Sequence, residues 1–539
     1  MNEPINNKVK IRLPVDLNGI DESLELPFIM GVLGDFVGNP IEPLPHPRLR
    51  KFVTIDLENF NDVLLSFSPR LSYKVENKLR DDSSDFEVEL NFKSLADFDA
   101  DNVKNRLERL DYFQQWIRRE AAAETDYLEA KMSAQLESIM QHQAFKALEA
   151  SWRGLHYLLE NTDNDIQIKV IHTRKTDLLK DFERNEDLST TAFYNWVYER
   201  EFNAVCGEPF SVLIGIYEFS NHPQDVVLLS YISKVAALAH APFISGMSPD
   251  IWGYDYFLEV FEKYDPSYPF CRSEFTRWNE FRETEEAAYA SLCLPRILLR
   301  NNSEDMKPLT KNYLEVLERI SRQLWGNAAL AFAVVLARSF AATKWLAQID
   351  GEKFGALENV PTVRLWYVDS PIDTVVDEEV LYFFRYLSDE SVNVITKAER
   401  NGHFFLSATS CKKFKPLPPF DLRWKKPPVD EDLRVSALLS VILTRARFLH
   451  YLVRLIRIES SRQTHSVQEW QEILNNWLGQ YCANSFEECS VERPLAEARI
   501  EIEEAVFDAK PLLTAKIYIK PGYQLPNTNS IREISFSNF

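Results

Sequence analysis

Near its amino end the chain reads LPFIMGVLGDF over residues 26–36, an apolar run interrupted by Gly31 and Gly34. An aspartate close to two glycines is also found in phosphate-binding loops, but no lysine follows at the place that such a loop requires. We therefore interpret Gly31 and Gly34 as a packing turn. Prolines at positions 40, 43, 45 and 47 predict an extended, turn-rich connection after it.

A second informative stretch, LEASWRGL at residues 148–155, lies in a segment from about 101 to 160 that is almost free of glycine and proline. Its apolar residues recur at three- and four-residue intervals, which indicates helical faces. We expect long core helices here that also join two regions of the chain. The predicted regions are residues 1–115 and 116–539, with the join near 110–127.

Beyond Gly154 the pattern changes to strands that alternate with helices, which predicts a covered sheet. Strands are predicted at 166–171 and, from a nearly continuous apolar run, at 210–217. The helices are predicted at 175–183, 224–239, 324–349, 434–459 and 467–481. The fold class is therefore α/β, with mixed sheets and long helices.

Both ends of the chain alternate between apolar and polar residues. Near the amino end the apolar residues are Val9, Ile11 and Leu13, which predicts a half-buried strand. Near the carboxyl end a β-hairpin is predicted at about 498–520, with the apolar residues Ile500, Ile502, Ile517 and Ile519. Because an isolated two-stranded hairpin is marginal in water, this hairpin needs another strand.

Composition excludes several classes of protein. A chain of 539 residues with 45% hydrophobic content can bury more than one core, and its formal charge of −20 argues against nucleic-acid binding. The six cysteines lack paired spacing, which favours reduced core thiols over a zinc site or disulfides. No apolar run reaches the roughly 20 residues that span a bilayer, so we expect no membrane insertion and a cytoplasmic location.

No catalytic, cofactor-binding or metal-binding constellation is predicted. The common hydrolase, metalloprotease, phosphate-loop and dinucleotide motifs do not occur in the sequence. We interpret His240 as a core or capping histidine, and His142 and His156 as partly buried ones. The charged run RETEE at residues 282–286 fits an interface patch and a solvated helix face equally well.

Many short motifs, in order, resemble the two subunits of the contractile sheath of type VI secretion. Residues 9–110 resemble the small subunit through LPF (26–28), GVLGDF (31–36), RKFVTID (50–56), NFNDVL (59–64), PRL (69–71) and ELNF (89–92). Residues 134–534 resemble the large subunit through WRGL (152–155), VLIG (212–215), YEFS (217–220), AHAPFI (239–244), FRETE (281–285), LPR (294–296) and LWGNAA (324–329). The likeness weakens between 360 and 430, where VDEE stands at residues 376–379.

The resemblance implies a fused sheath protomer that polymerises into a helical sheath around an inner tube, contacts baseplate components and drives the tube outward by contraction. It also implies exchange of terminal β-strands between neighbouring protomers. The candidate residues for that exchange are Val9, Ile11, Leu13, Ile500, Ile502, Ile517 and Ile519. The alternative is that these strands pair only within one chain.

One departure from the family matters for recycling. In the family the large subunit begins with an arm that carries one exchanged strand and a helix recognised by a hexameric disassembly ATPase. This chain has no residues to match that arm, which puts the ATPase as a partner in doubt. An accessory sheath-like role, as a cap, an assembly seed or a non-contracting variant, is therefore the alternative function, and separate sheath subunits could exist beside this chain.

Overall fold

The structure is a computed structural model of the chain. It describes residues 8–537 except 18–19, 81–83, 110, 120–124, 164, 205, 264–269, 302–312, 366–367, 399–401, 415–430, 463–464, 508–509 and 526–533.

The described strands fall into one large sheet and several small ones. They are β1 (Leu13–Leu17), β2 (Ile20–Leu24), β3 (Phe28–Gly34), β4 (Val53–Ile55), β5 (Arg70–Glu76), β6 (Asp85–Asn91), β7 (Ile166–His172), β8 (Val212–Phe219), β9 (Phe243–Met247), β10 (Ala290–Leu294), β11 (Ile297–Arg300), β12 (Leu324–Gly326), β13 (Val363–Leu365), β14 (Val368–Ser370), β15 (Asn393–Lys397), β16 (His403–Phe405), β17 (Leu495–Phe507), β18 (Lys510–Pro521) and β19 (Ile534–Ser537).

Helices alternate with these strands along most of the described chain. They are α1 (Phe60–Phe67), α2 (Ala100–Glu108), α3 (Asp111–Arg119), α4 (Thr125–Met140), α5 (Gln143–Glu160), α6 (Lys175–Arg184), α7 (Ala192–Tyr194), α8 (Pro223–Leu238), α9 (Phe257–Lys263), α10 (Thr276–Glu283), α11 (Tyr313–Arg322), α12 (Ala328–Thr343), α13 (Gly351–Phe354), α14 (Glu378–Asp389), α15 (Glu431–Ser436), α16 (Leu439–Arg462) and α17 (Val467–Gly479). A π-helix (Asn195–Phe202) follows α7 directly.

The large sheet has eight strands in the order β16-β15-β10-β9-β8-β3-β7-β4. Its six central strands are parallel, and the edge strands β4 and β16 are antiparallel to their neighbours. Strand β3 lies between β7 and β8, with Val32 paired to Val170 on one side and to Ile214 on the other. A strand from the amino-terminal region is thus built into the sheet of the carboxy-terminal region.

Both faces of β3 are covered by helices. Met30 and Val32 point into one core, which includes side chains of α5 and α12, whereas Ile29 and Leu33 point into a second core with α8 and α10. All seven residues of β3 are buried. This two-sided burial explains why the sequence reads as a continuous apolar run rather than an alternating one.

The interpretation of Gly31 and Gly34 as a turn is wrong, because both lie inside β3. Their role in packing is confirmed. A Cβ at Gly31 would lie 2.9 Å from both Leu213 Cδ2 and Phe210 Cδ1. The glycines therefore make room for side chains that pack over the middle of the sheet.

The two predicted regions share this sheet and also a core. The Trp152 side chain is fully buried against Phe36 and Phe60, and its Nε1 donates to the Phe36 carbonyl at 3.1 Å. The boundary at residues 115 and 116 stays a prediction. In the predicted join, residues 110 and 120–124 lie outside the described residues, and the described part is helical in α3 and α4.

Most predicted elements are present, and two predicted helices differ from the structure. Residues 324–326 form strand β12, because Asn327 caps the next helix with its Oδ1, which accepts from the Ala329 N–H at 2.9 Å. That helix ends at Thr343, since Lys344 is left-handed with φ 55°. The helix predicted at 434–459 is divided into α15 and α16.

Candidate assembly site

The amino-terminal segment lies against the carboxy-terminal helices of its own chain. Val9, Ile11 and Leu13 are buried, at 2%, 3% and 0% exposure, and the alternating residues Lys10 and Arg12 are exposed. The predicted alternation of buried and exposed side chains is therefore present. The strand was predicted too early, because β1 begins only at Leu13 and the backbone before it bonds mainly to helices.

Side chains of α17 and the turn after it hold the backbone of Arg12. Its N–H donates to the Tyr481 hydroxyl at 2.9 Å. Its carbonyl accepts from Trp477 Nε1 at 2.9 Å and from the Tyr481 hydroxyl at 3.1 Å. Both polar groups of one residue are thus satisfied by side chains where a neighbouring strand would otherwise satisfy them. We call this contact the Arg12 clamp.

A second clamp of the same kind holds Leu26. Its N–H donates to the Tyr451 hydroxyl at 2.7 Å, and its carbonyl accepts from Arg447 Nη2 at 2.8 Å. Burial raises the pKa of Tyr451, which keeps its hydroxyl protonated at neutral pH. The Arg447 guanidinium also lies 4.6 Å from the centre of the Phe340 ring, a cation–π contact.

The two clamps anchor both ends of the hairpin formed by β1 and β2. Arg12 precedes this hairpin and Leu26 follows it, and β1 and β2 form a two-stranded sheet of their own. A two-stranded sheet is marginal in water unless something supports it. The clamps supply that support at its base.

The predicted carboxy-terminal hairpin is present as β17 and β18 and extends past both predicted limits, 498 and 520. Ile500 lies opposite Ile517, and Ile502 and Ile519 lie opposite alanines. All four isoleucines are buried, at 1–7% exposure. Strand β19 pairs with β18 from Thr514 to Ile517, so it supplies the further strand that the hairpin needs.

The structure brings every residue predicted for strand exchange into one core. Val9, Ile11 and Leu13 share a cluster with Ile500, Ile502, Ile517 and Ile519, which also includes Trp345, Phe448 and Trp477. Within one chain the side chains of both ends are thus committed to the same core.

The sequence did not reveal the residues of the clamps. Trp470, Leu474 and Trp477 recur at helical spacing on one face of α17, and the three are buried. Their spacing says nothing about a hydrogen bond from Trp477 to a backbone more than 400 residues away. Arginines at positions 445, 447, 454 and 457 surround an apolar stripe of α16, and this pattern is the one signal in the sequence for Arg447.

The other candidates of the sequence have structural roles. His240 is buried and its Nδ1 lies 3.2 Å from the Tyr289 hydroxyl, which confirms a core histidine. Burial and the neighbouring His450 lower its pKa to about 3. His142 caps α5, with Nδ1 accepting from the Ala144 N–H at 3.2 Å, and His156 lies 3.4 Å from Glu160.

The charged run 282–286 is not wholly a solvated helix face, and its role as an interface patch stays a prediction. Arg282 is buried at 1% exposure and pairs with Glu390 at 3.0 Å, because it lies on the inner side of α10. Glu283, at the end of that helix, pairs with Lys413 at 2.8 Å on the surface. This ion pair holds the segment after β16 against α10.

The expectation that the cysteines are core thiols holds for only some of them. Cys293 and Cys411 are buried, whereas Cys206 and Cys271 are exposed. Among the described residues no group of three or more histidine, cysteine or acidic side chains is arranged to hold a metal ion. Within the same residues, no helix has the length and apolar character needed to cross a membrane.

Comparison with known families covers almost the whole chain. Residues 1–150 match the family described as "Type VI secretion system, VipA, VC_A0107 or Hcp2". Residues 123–384 match the family "EvpB/VC_A0108, tail sheath N-terminal domain", and residues 429–535 match "EvpB/VC_A0108, tail sheath gpW/gp25-like domain". The clamped core involves both ends of this arrangement.

Two proteins of Pseudomonas aeruginosa are similar in sequence. Type VI secretion system sheath protein TssC1 is 30% identical over 429 residues, which cover 76% of this chain and 84% of the relative. Type VI secretion system sheath protein TssB1 is 32% identical over 134 residues, which cover 25% of this chain and 76% of the relative.

Solved structures of contractile injection systems are more distant. The PVC sheath complex in its contracted state has a TM-score of 0.31 at 12% identity, covering 69% of this chain and 77% of that chain. The anti-feeding prophage sheath in its contracted state has a TM-score of 0.31 at 10% identity, covering 71% and 80%. Likeness at this level supports no argument about the present chain.

The family matches and the relatives agree with the motifs and with the sheet that both regions share. The chain belongs to the sheath proteins of type VI secretion systems, and it unites the small-subunit and large-subunit types in one polypeptide.

Proposed function

We propose that this chain is the structural protomer of a type VI secretion contractile sheath. The observation that carries the proposal is the position of β3. A strand of the small-subunit type lies between two strands of the large-subunit type, so the two parts form one folding unit. Both relatives are sheath proteins rather than enzymes, and assembly is therefore the activity to test.

Fusion has a direct consequence for assembly. In Pseudomonas aeruginosa the two parts are separate proteins. In this chain they are covalently joined, which fixes a one-to-one ratio and replaces a bimolecular step by an intramolecular one. Self-association into a helical polymer then needs a single kind of building block.

The finer functional details also belong to the proposal. The polymer surrounds an inner-tube protein, meets baseplate components and works in the bacterial cytoplasm. Nucleic acid and membrane insertion have no part in it. Recycling by a disassembly ATPase is left out, because the sequence offers no match to the arm that such an ATPase recognises.

We also propose that neighbouring protomers are joined by exchange of terminal strands. The amino-terminal residues Val9, Ile11 and Leu13 would occupy, on a neighbouring copy, the place that they take here on their own chain. Exchange of an identical element costs little, because the contacts are the same within and between copies. The Arg12 clamp would then link two protomers.

Negative-stain microscopy and sedimentation of the purified chain test the polymer. Long helical tubes support the sheath, whereas particles of one defined size point to the accessory role. A chain that stays monomeric at high concentration refutes the proposal. Deleting residues 1–14 is a poor test of exchange, because it also removes three buried side chains.

A sharper test of exchange places a photo-crosslinking residue at the exposed Lys10 of a tagged copy, mixed with an untagged copy before assembly. Exchange predicts crosslinks from Lys10 to the α17 region of the untagged copy. Crosslinks only within the tagged chain contradict it. Weakening the clamp with Trp477→Phe and Tyr481→Phe should reduce the crosslink between copies, and Tyr382→Phe, at an exposed tyrosine of α14, is the matched control.

A further inference from the structure

The segment between β14 and α14 is buried although it forms no helix. Ile372, Asp373 and Thr374 are each 0% exposed. The Ser370 hydroxyl lies 3.0 Å from the Ile372 carbonyl oxygen and 2.9 Å from the Thr374 carbonyl oxygen, which holds the backbone in a compact turn. We call residues 370–375 the turn segment.

The turn segment is docked on the corner between β10 and β11. The Leu298 N–H donates to the Pro371 carbonyl at 2.8 Å, and the Asp373 N–H donates to the Arg296 carbonyl at 3.2 Å. In return, the Arg296 N–H donates to Asp373 Oδ1 at 3.0 Å. Asp373 therefore binds this corner with its backbone and with its side chain.

The Asp373 carboxyl group lies beside an ion pair that is already complete. Arg296 donates from Nε and Nη2 to the two carboxylate oxygens of Glu218, at 2.6 and 2.7 Å. Its third nitrogen, Nη1, donates to the Asp255 carbonyl at 3.2 Å and lies 3.8 Å from Asp373 Oδ2, which is too far for a hydrogen bond. Two carboxyl groups thus share one guanidinium, so an ionised Asp373 adds a buried negative charge without a partner of its own.

The other titratable groups near this site come from α9 and the residues just before it. Asp255 is exposed, and Glu259 pairs with Lys263 at 3.1 Å. Burial raises the pKa of Tyr256, so its hydroxyl stays neutral at physiological pH. None of Asp255, Tyr256 and Glu259 supplies a positive charge to Asp373.

Two polar atoms of the turn segment are buried at a cost. Within the described residues, Asp373 Oδ2 and Thr374 Oγ1 have no hydrogen-bond partner. A buried acceptor without a donor destabilises the docked position, and a charged one does so more strongly. Burial raises the pKa of Asp373 to about 7, although the Arg296 guanidinium acts in the opposite direction. The docked segment therefore keeps a proton that an exposed aspartate, with an ordinary pKa of about 3.9, has lost.

We propose that the turn segment is a latch that one proton on Asp373 holds closed. With Asp373 neutral, the segment stays docked on the corner between β10 and β11. With Asp373 ionised, the segment is released so that water hydrates the carboxylate. Release loosens the small core in which Val375 packs with Leu298 and with side chains of α9, α11 and β13. The latch lies within one chain and does not depend on the proposed sheath function.

The sign and size of the effect follow from the two protonation equilibria. The docked segment loses its proton at about pH 7, and the released segment loses it near pH 4. Between these values each pH unit favours release by about tenfold, and above pH 7 the effect levels off. From pH 6 to pH 8 the population of released segment should therefore increase by about tenfold.

Residue-resolved hydrogen exchange of the full chain at pH 6 and pH 8 tests the proposal. Each rate is divided by the intrinsic exchange rate at the same pH. The Asp373 and Leu298 amides bond across the docked corner, so their corrected exchange should be about tenfold faster at pH 8. Amides in β3 and β7, which lie in another part of the fold, should not become faster.

Two variants identify the group that titrates. Asp373→Asn keeps the acceptor for the Arg296 N–H and cannot ionise, so the corrected exchange should be slow at both pH values. Glu218→Gln leaves Asp373 as the carboxyl group beside Arg296, which favours its ionised form, and the dependence between pH 6 and pH 8 should become weaker. Asp369→Asn, at an exposed carboxylate of β14, is the matched control and should behave as the parent chain.

Three outcomes overturn the inference. In the first, the corrected exchange of the Asp373 and Leu298 amides in the parent chain is the same at pH 6 and pH 8. In the second, amides of β3 and β7 become faster to the same extent, so that the whole fold opens and not the turn segment. In the third, Asp373→Asn folds and keeps the pH dependence of the parent chain. Should that variant not fold, the parent chain and Glu218→Gln still decide, because an unaltered dependence in Glu218→Gln also contradicts the latch.

Discussion

Replacing Gly31 by alanine tests whether the two regions of the chain form one folding unit. The new methyl group would lie 2.9 Å from Leu213 Cδ2 and from Phe210 Cδ1. Both neighbours are buried, at 0% and 1% exposure, so neither can move into solvent. Overpacking of this kind costs about 1–3 kcal/mol.

Part of that cost is offset in the unfolded chain. Alanine has less conformational freedom there than glycine, which stabilises the folded state by about 0.4–1 kcal/mol. We therefore expect Gly31→Ala to lower the free energy of unfolding by about 1–2 kcal/mol. Because β3 pairs with both β7 and β8, the loss of stability should affect both of these neighbouring strands.

Urea unfolding gives the change in the free energy of unfolding. Hydrogen exchange of peptides from β7 and β8 shows whether their amides lose protection. Gly479→Ala is the control, because a Cβ there meets no atom within 4 Å. At the exposed end of α17 it should leave stability unchanged or raise it by up to about 1 kcal/mol through helix propensity.

The reasoning would be refuted if Gly31→Ala loosened only residues 28–110 and left the peptides of β7 and β8 as protected as before. The small-subunit part would then be an independent unit that merely docks on the rest. An unchanged free energy of unfolding would show instead that the core over β3 has room for a methyl group.

Two further predictions concern buried charge. Glu149 is fully buried and accepts from Arg153 Nε at 2.7 Å and from Arg300 Nε at 2.8 Å. Glu149→Ala removes this carboxylate from both arginines, although Arg153 keeps Asp99 at 2.7 Å, and should lower the free energy of unfolding by about 3 kcal/mol. A loss below about 1 kcal/mol in urea unfolding would contradict this. The second prediction is acid sensitivity: burial, with a smaller contribution from His450, lowers the pKa of His240 to about 3, well under the unfolded value of about 6.5. The unfolded chain therefore binds the proton first, stability falls as the pH drops below about 6.5, and by pH 5 this histidine costs about 2 kcal/mol. His240→Gln should remove that part of the difference in stability between pH 7 and pH 5, and an unchanged difference would show that His240 does not titrate as argued.

Local patterns in the sequence were sufficient for most single elements. The strand over 166–171, the helices over 175–183 and 224–239 and the terminal hairpin are all present within a few residues. Their signals are periodic burial on one face or a short apolar run between turns. Such signals depend on neighbours in the sequence, so one sequence was enough to find them.

The place of β3 could not be found in this way. Its neighbours in the sheet, β7 and β8, come more than 130 residues later in the chain. The apolar run 28–34 does not indicate which strands will pair with it. Glycines in an apolar run commonly mark a turn. Here Gly31 makes room for Leu213 and Phe210, which are far away in the sequence, so its packing role could not be predicted from the run itself. The clamps were missed for the same reason, since Trp477 and Tyr481 act on a backbone near the other end of the chain.

The position of β3 also limits how a sheath built from this chain can move. Seven pairs of β3 with β7 and four with β8 lie inside two buried cores. Separating the two parts would break both ladders and bring apolar side chains of two buried cores into contact with water, at a cost of about 25 cal/mol for each Å² exposed. Contraction must therefore leave the protomer nearly rigid and change the contacts between protomers.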